Sequence, residues 1–119
     1  MNDSILITIK KLLGFTEDQK EFDTDIIIHI NSVFSKLYRL GVGTKHVFSI
    51  QDEYAIWGDF IEDDASINDV KDYVYLKVKL IFDPPLSSSV LSAIERQIKE
   101  LEWDLNVTSE LNESTTEEV

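Results

Sequence analysis

The strongest constraint on this chain is an apolar stripe in its last third, where Val90, Leu91, Ile94, Ile98, Leu101 and Leu105 recur at the spacing of one helix face. Ser87 or Ser88 is placed to cap that helix just after Asp83-Pro84-Pro85. Its opposite face carries Glu95, Arg96, Lys99, Glu100 and Glu102, with Glu95 and Lys99 at the favourable i,i+4 spacing. A helix with one apolar face must bury it against other elements. Two earlier stretches supply partners. Asp3 or Ser4 caps a helix with Ile5, Leu6, Ile9, Leu12 and Leu13 on one side and Gly14 as a left-handed stop. Asp23 or Thr24 caps a longer one, in which Ile26, Ile30, Val33 and Leu37 form a stripe that Ile27, Phe34 and Tyr38 widen. Gly41 and Gly43 end it in an elbow.

The segment Ser66 to Asp83 is ambiguous locally. Val74, Leu76, Val78 and Leu80 alternate with Tyr75, Lys77 and Lys79 as in a half-buried strand. A helical stripe through Ile67, Val70, Val74, Val78 and Ile81 is longer, has Ser66 and Asp69 at cap spacing and stops before the proline pair, so the segment reads as helix. Its β-branched residues lower helix propensity, and burial on several sides must offset that. Val47 to Asp64 has aromatics but no period. The fold class is therefore mainly α, a small irregular four-helix bundle with a short strand pair or packed loop around residues 47–64. Residues 1–107 form a single domain; residues 108–119, acidic and poor in apolar side chains, form a tail expected to be flexible unless docked on a partner.

Charge and residue types exclude several functions. The 119 residues carry 23 acidic and 11 basic side chains, a net charge of −12. With the cations spread from Lys10 to Lys99, tight binding to a phosphate backbone is disfavoured. No cysteine is present, which removes disulfides, thiol nucleophiles and zinc-finger ligation. The first residues lack a secretory signal, and no stretch approaches the roughly 18 apolar residues that span a bilayer. The reading is a soluble protein made in a cytoplasm.

The polar residues do not assemble into a reactive pattern. His29 and His46 stand apart and fit no metal-ligand spacing. The acidic pairs lack the rhythm of a calcium loop, Ser87-Ser88-Ser89 has no nucleophile context, and Gly41-Val42-Gly43 lacks the rest of a phosphate loop. No catalytic, metal-binding or cofactor-binding residue is assigned, no cofactor is expected, and the chain reads as a non-enzyme. Contact surfaces remain. Candidates for a subunit or partner interface are Tyr54, Trp57, Phe60, Trp103, Leu111 and Val119, because large aromatics anchor interfaces as well as cores. For the aromatic segment, a roof over the core is as well supported as an interface. Asp52, Glu53, Asp59, Glu62, Asp63 and Asp64 form a candidate acidic channel or contact surface.

The order of these elements resembles a known pattern. A short helix ends in Leu12-Leu13-Gly14, and a second runs from Ile26 to Leu40. Tyr73 to Pro85 then reads YVYLKVKLIFDPP, followed by Ser87-Ser88, Ile98-Lys99-Glu100-Leu101-Glu102-Trp103 and Leu105-Asn106-Val107. This resembles the head–tail connector, or adaptor, proteins of tailed bacteriophages, over Ser4 to Val107. The resemblance implies a virion structural protein of the head–tail neck, assembled as a twelve-fold ring below the portal. It would offer a platform to a head-closure, stopper or tail-completion protein while DNA passes through unbound, with no membrane involved. The family's C-terminal segment tends toward the portal, which gives the acidic tail a docking site. The length of the loop from Phe48 to Asp64 departs from the pattern. The competing reading is an acidic regulatory or inhibitor protein that binds a single partner, as a DNA mimic would.

Overall fold

The computed structural model describes residues 2–61 and 64–118, with side chains for 2–61 and 65–109. Helix α1, Ile5–Leu13, begins where Ser4 Oγ accepts the Ile7 N–H at 3.2 Å and ends where Gly14 turns left-handed at φ +97°. Its buried side carries Ile5, Leu6, Ile9 and also Lys10. Helix α2, Asp23–Arg39, buries Ile26, Ile30, Val33, Phe34 and Leu37. Its N-cap is Phe22, which has no side-chain acceptor, rather than Asp23 or Thr24 as the sequence suggests. The Asp23 carboxylate is instead turned to the Lys10 ammonium, at 2.8 Å.

After α2 the chain bends through Gly41 and Gly43, at φ +81° and +99°, and runs back as a packed loop. Asn31 fixes that loop to α2: its amide donates to the Ile50 carbonyl at 2.9 Å and accepts the Ile50 N–H at 2.7 Å. Among the described residues of 47–61 there is no strand, only the single turn α3, Trp57–Phe60, and one antiparallel bridge between Ser4 and Ile56. The backbone there clasps the start of α1, with Ile5 N–H donating to Ala55 O at 3.0 Å and Trp57 N–H to Asp3 O at 3.1 Å.

Helix α4, Asp64–Phe82, confirms helix over strand for the ambiguous segment. It is the central element, packed against α1, α2 and α5. Ile67, Val70, Tyr73, Val74, Leu76 and Val78 are all buried, which is the many-sided burial that its β-branched sequence needs. Ser66 lies inside this helix rather than at its start. Phe82 closes it, since Pro84 disfavours helical geometry at Asp83. Helix α5, Ser88–Glu118, follows, with Leu91 N–H donating to Ser87 O at 3.0 Å. Its helical backbone continues past residue 107, where the sequence places the domain end. Among the described residues the molecule is thus a mainly helical bundle of four helices, of 9 to 31 residues, and the short turn α3.

Two aromatic clusters tie the loop and the connector to the helices. Phe34, Phe48 and Phe60 meet with ring centroids 4.6 to 5.3 Å apart. Phe15, Phe22 and Phe82 meet at 5.6 to 5.7 Å. The first joins the loop to α2, and the second joins the connector after α1 to the end of α4.

Candidate functional site

The proposed interface aromatics divide sharply. Trp57 is 0% exposed and Phe60 3%, so neither offers area to a partner. The reason is the loop's packing: Phe60 stacks on Phe34, and Trp57 donates its indole N–H to Thr8 Oγ1 at 3.2 Å, with the Lys71 ammonium 5.7 Å above its ring. Tyr54 and Trp103 behave oppositely, at 79% and 70% exposed. Val119 and the Leu111 side chain lie outside the described residues.

The acidic candidates are similarly divided. Asp52 Oδ1 accepts the Tyr54 N–H at 2.9 Å and Asp59 Oδ2 accepts the Ile56 N–H at 3.1 Å, so each shapes its own loop while remaining exposed. Glu53 is half-buried, 3.9 Å from Lys20. Glu62 and Asp63 lie outside the described residues, as does the side chain of Asp64, whose backbone opens α4. His46 is exposed, and half-buried His29 sets its ring edge toward Phe82 at 6.4 Å. Among the described residues, no three His, Asp or Glu side chains are grouped to hold a metal ion.

Apolar surface is open to water at Leu12, Ile28 and Val47 and also where the α5 stripe fails to find cover. Ile98, Leu101 and Leu105 are buried against the bundle, whereas Leu91 and Ile94 are half-buried and Val90 is 48% exposed. Leu86, in the turn before α5, is fully exposed, and Ile81, expected on the buried stripe of α4, is 52% exposed. The α4–α5 turn thus leaves the apolar side chains of Ile81, Leu86 and Val90 open to water. Sequence periodicity identifies the stripe but not how far along it the neighbouring helices reach.

Further along α5, Arg96, Lys99, Glu100, Trp103 and Asp104 line an open groove of about 410 Å³. Behind it, buried Tyr73 donates its hydroxyl to Glu102 Oε2 at 2.7 Å, joining α4 to α5. Burial first, and the Glu102 carboxylate second, push the Tyr73 phenol far above its ordinary range. Burial, with Asp104 and Asp72 nearby, also raises Asp69. These shifts follow from packing of α4 on α5.

The fold is a set of helices packed on the central α4, with Val90 and Trp103 of α5 left open to water. Residues 5–112 match the model of a family described as phage connector protein, and the chain belongs to that family. Membership assigns a structural connector role in a phage particle, assembled with other head–tail proteins. Neither a curated protein nor a solved structure matches the chain. No helix among the described residues is long and apolar enough to cross a membrane.

Proposed function

We propose that the chain is a ring-forming subunit of the phage head–tail neck, made in the host cytoplasm. It docks below the portal and presents a platform for the next head-closure or tail-completion protein. The observation that carries this reading is the uncovered apolar edge at Ile81, Leu86 and Val90 in a connector-family chain. Such an edge lowers solubility in a free monomer and gains from burial against another subunit. Exposed Tyr54 and Trp103 extend the contact area, and the acidic segment 108–119, with Leu111 and Val119, reaches toward the portal. Asp52, Glu53 and Asp59, continuing into Glu62, Asp63 and Asp64, line the channel or face the adjoining ring. Like charge there lets DNA pass without the counterion release that drives binding. An inhibitor or DNA-mimic role has only the net charge in its favour.

The test is electron microscopy of the chain mixed with the portal of the same phage. A ring layer below the portal is expected. Leu86→Asp with Val90→Asp, both surface changes worth within about 0.5 kcal/mol of stability, should leave thermal unfolding unmoved and remove that layer. Decoration that persists in the double variant rejects this docking face; no association of the wild-type chain with any neck component rejects the function. Reversal of Asp52 and Asp59 with unchanged DNA retention counts against the channel assignment.

A further inference from the structure

Charge on this molecule is sorted along α2. From Ile26 to Gln51 the sequence contains no aspartate or glutamate and three cations, Lys36, Arg39 and Lys45. Scattered as the eleven cations look in the sequence, the fold gathers these three around the C-terminal end of α2 and the glycine elbow. Arg39 and Lys45 are exposed and Lys36 half-buried. Among the described residues, none of the three has a carboxylate within 4.0 Å; the ion pairs that do form engage Lys10, Lys11, Lys20, Lys71 and Lys79. Tyr38, 44% exposed, shares this end.

The N-terminal end of α2 has the opposite character. Asp18, Glu21 and Asp25 are exposed and enter no ion pair among the described residues, while the cations nearby are already engaged, Lys10 by Asp23, Lys11 by Glu17 and, at 3.9 Å, Lys20 by Glu53. Phe22 is 44% exposed between them. The two ends are separated by a helix of 17 residues, roughly 24 Å at 1.5 Å per residue. The helix dipole accounts for Asp25 at one terminus and for Lys36 and Arg39 at the other. It does not account for Asp18, Glu21 or Lys45, which lie outside the helix.

With a net charge of −12, two copies repel in most orientations. The repulsion turns to attraction where the basic end of one meets the acidic end of the next. A contact between two different patches repeats from copy to copy, and closes into a ring where the rotation between copies divides a full turn. Resting on the ring reading above, we infer that the lateral contact between neighbouring copies sets the Lys36–Arg39–Lys45 end of α2 on the Asp18–Glu21–Asp25 end of α2 in the next copy. Tyr38 and Phe22 supply apolar area beside the charges.

The absence of cysteine gives a clean test. Glu21→Cys combined with Arg39→Cys introduces two thiols too far apart within one chain for a disulfide, which needs Cα atoms within about 7 Å. Oxidation at low salt, with and without the portal, should yield a reducible ladder of dimers, trimers and larger products. The ladder should weaken at least tenfold in about 1 M salt, where screening shortens to about 3 Å. Each single-cysteine variant should stay near background. In a second arm, Lys36→Glu with Arg39→Glu, and separately Glu21→Lys with Asp25→Lys, should each abolish association in sedimentation, and mixing the two variants should restore it. Oligomers without a ladder, or a ladder that stops at dimers, overturn this contact and leave the ring reading standing. No association with or without the portal overturns both. Duplex-DNA binding lost in Lys36→Glu/Arg39→Glu, with oligomers intact, assigns the basic end to nucleic acid and overturns the inference.

Discussion

Lys10 takes a full positive charge out of water, 2% exposed on the inner side of α1, where Asp23 at 2.8 Å and the Glu17 carbonyl at 3.2 Å replace its hydration. Removing one partner of a buried pair leaves the other uncompensated, at a cost of about 3–5 kcal/mol. Because Asp23 keeps 21% of its side-chain exposure, Lys10→Ala is expected at the lower end, about 3 kcal/mol, read from urea denaturation. Tyr73 is a different case, a neutral donor to Glu102. Its folded phenol holds its proton well above the ordinary value of 10.0, so the unfolded chain releases that proton first. Its contribution is fully present below pH 10 and declines as pH rises toward the folded value. Tyr73→Phe is expected to cost about 2 kcal/mol at neutral pH, since its bond is to a charged acceptor, and the gap from wild type should narrow above pH 10 in denaturation curves. Lys10 at four residues from Leu6 is visibly on the apolar side of its helix in the sequence. Its partner is not visible, because that depends on how the connector folds back.

Two glycines test the elements that they join. Gly14 sits at φ +97° with open space where a Cβ would be, so Gly14→Ala is expected to cost only the left-handed backbone penalty, about 1–2 kcal/mol. At Gly43 the same backbone region is combined with contact, because a Cβ would run into the Phe60 ring. Gly43→Ala should therefore cost clearly more than Gly14→Ala in the same thermal unfolding series, as the elbow or the Phe34–Phe48–Phe60 cluster must shift. At this scale most of the architecture was legible. Periodicity located α1, α2, α4 and α5, and the length of the Ile67-to-Ile81 stripe decided helix over strand. What was not legible was contact across elements. Phe48, Trp57 and Phe60 have no period, so nothing in their spacing separates an aromatic roof from an aromatic interface; the Asn31 clamp on Ile50 and the Gly43–Phe60 contact decide it. The reverse holds for Val90, whose perfect spacing gave no sign that the bundle stops short of it.

For the whole molecule, the two tryptophans act as separate reporters. Trp57 is sealed in the core and Trp103 is 70% exposed beside Arg96 and Lys99 on the outer face of α5. Acrylamide should quench the Trp103 share of the fluorescence in the free chain and spare the Trp57 share. In the assembled neck the Trp103 share is expected to become protected, and Trp103→Phe should remove the difference between free and assembled protein. Unchanged quenching on assembly would place Trp103 outside every contact. The clasp between Asp3, Ile5 and the loop at Ala55 to Trp57 sets an order of events during synthesis. The start of α1 and the residue before its cap hold two backbone bonds with residues some fifty positions later. Closing so long a loop comes late and slowly. On the ribosome α1 must therefore wait, its apolar face unshielded, until the middle of the chain has left the exit tunnel. A nascent chain stalled before α4 leaves that face open to chaperones and proteases.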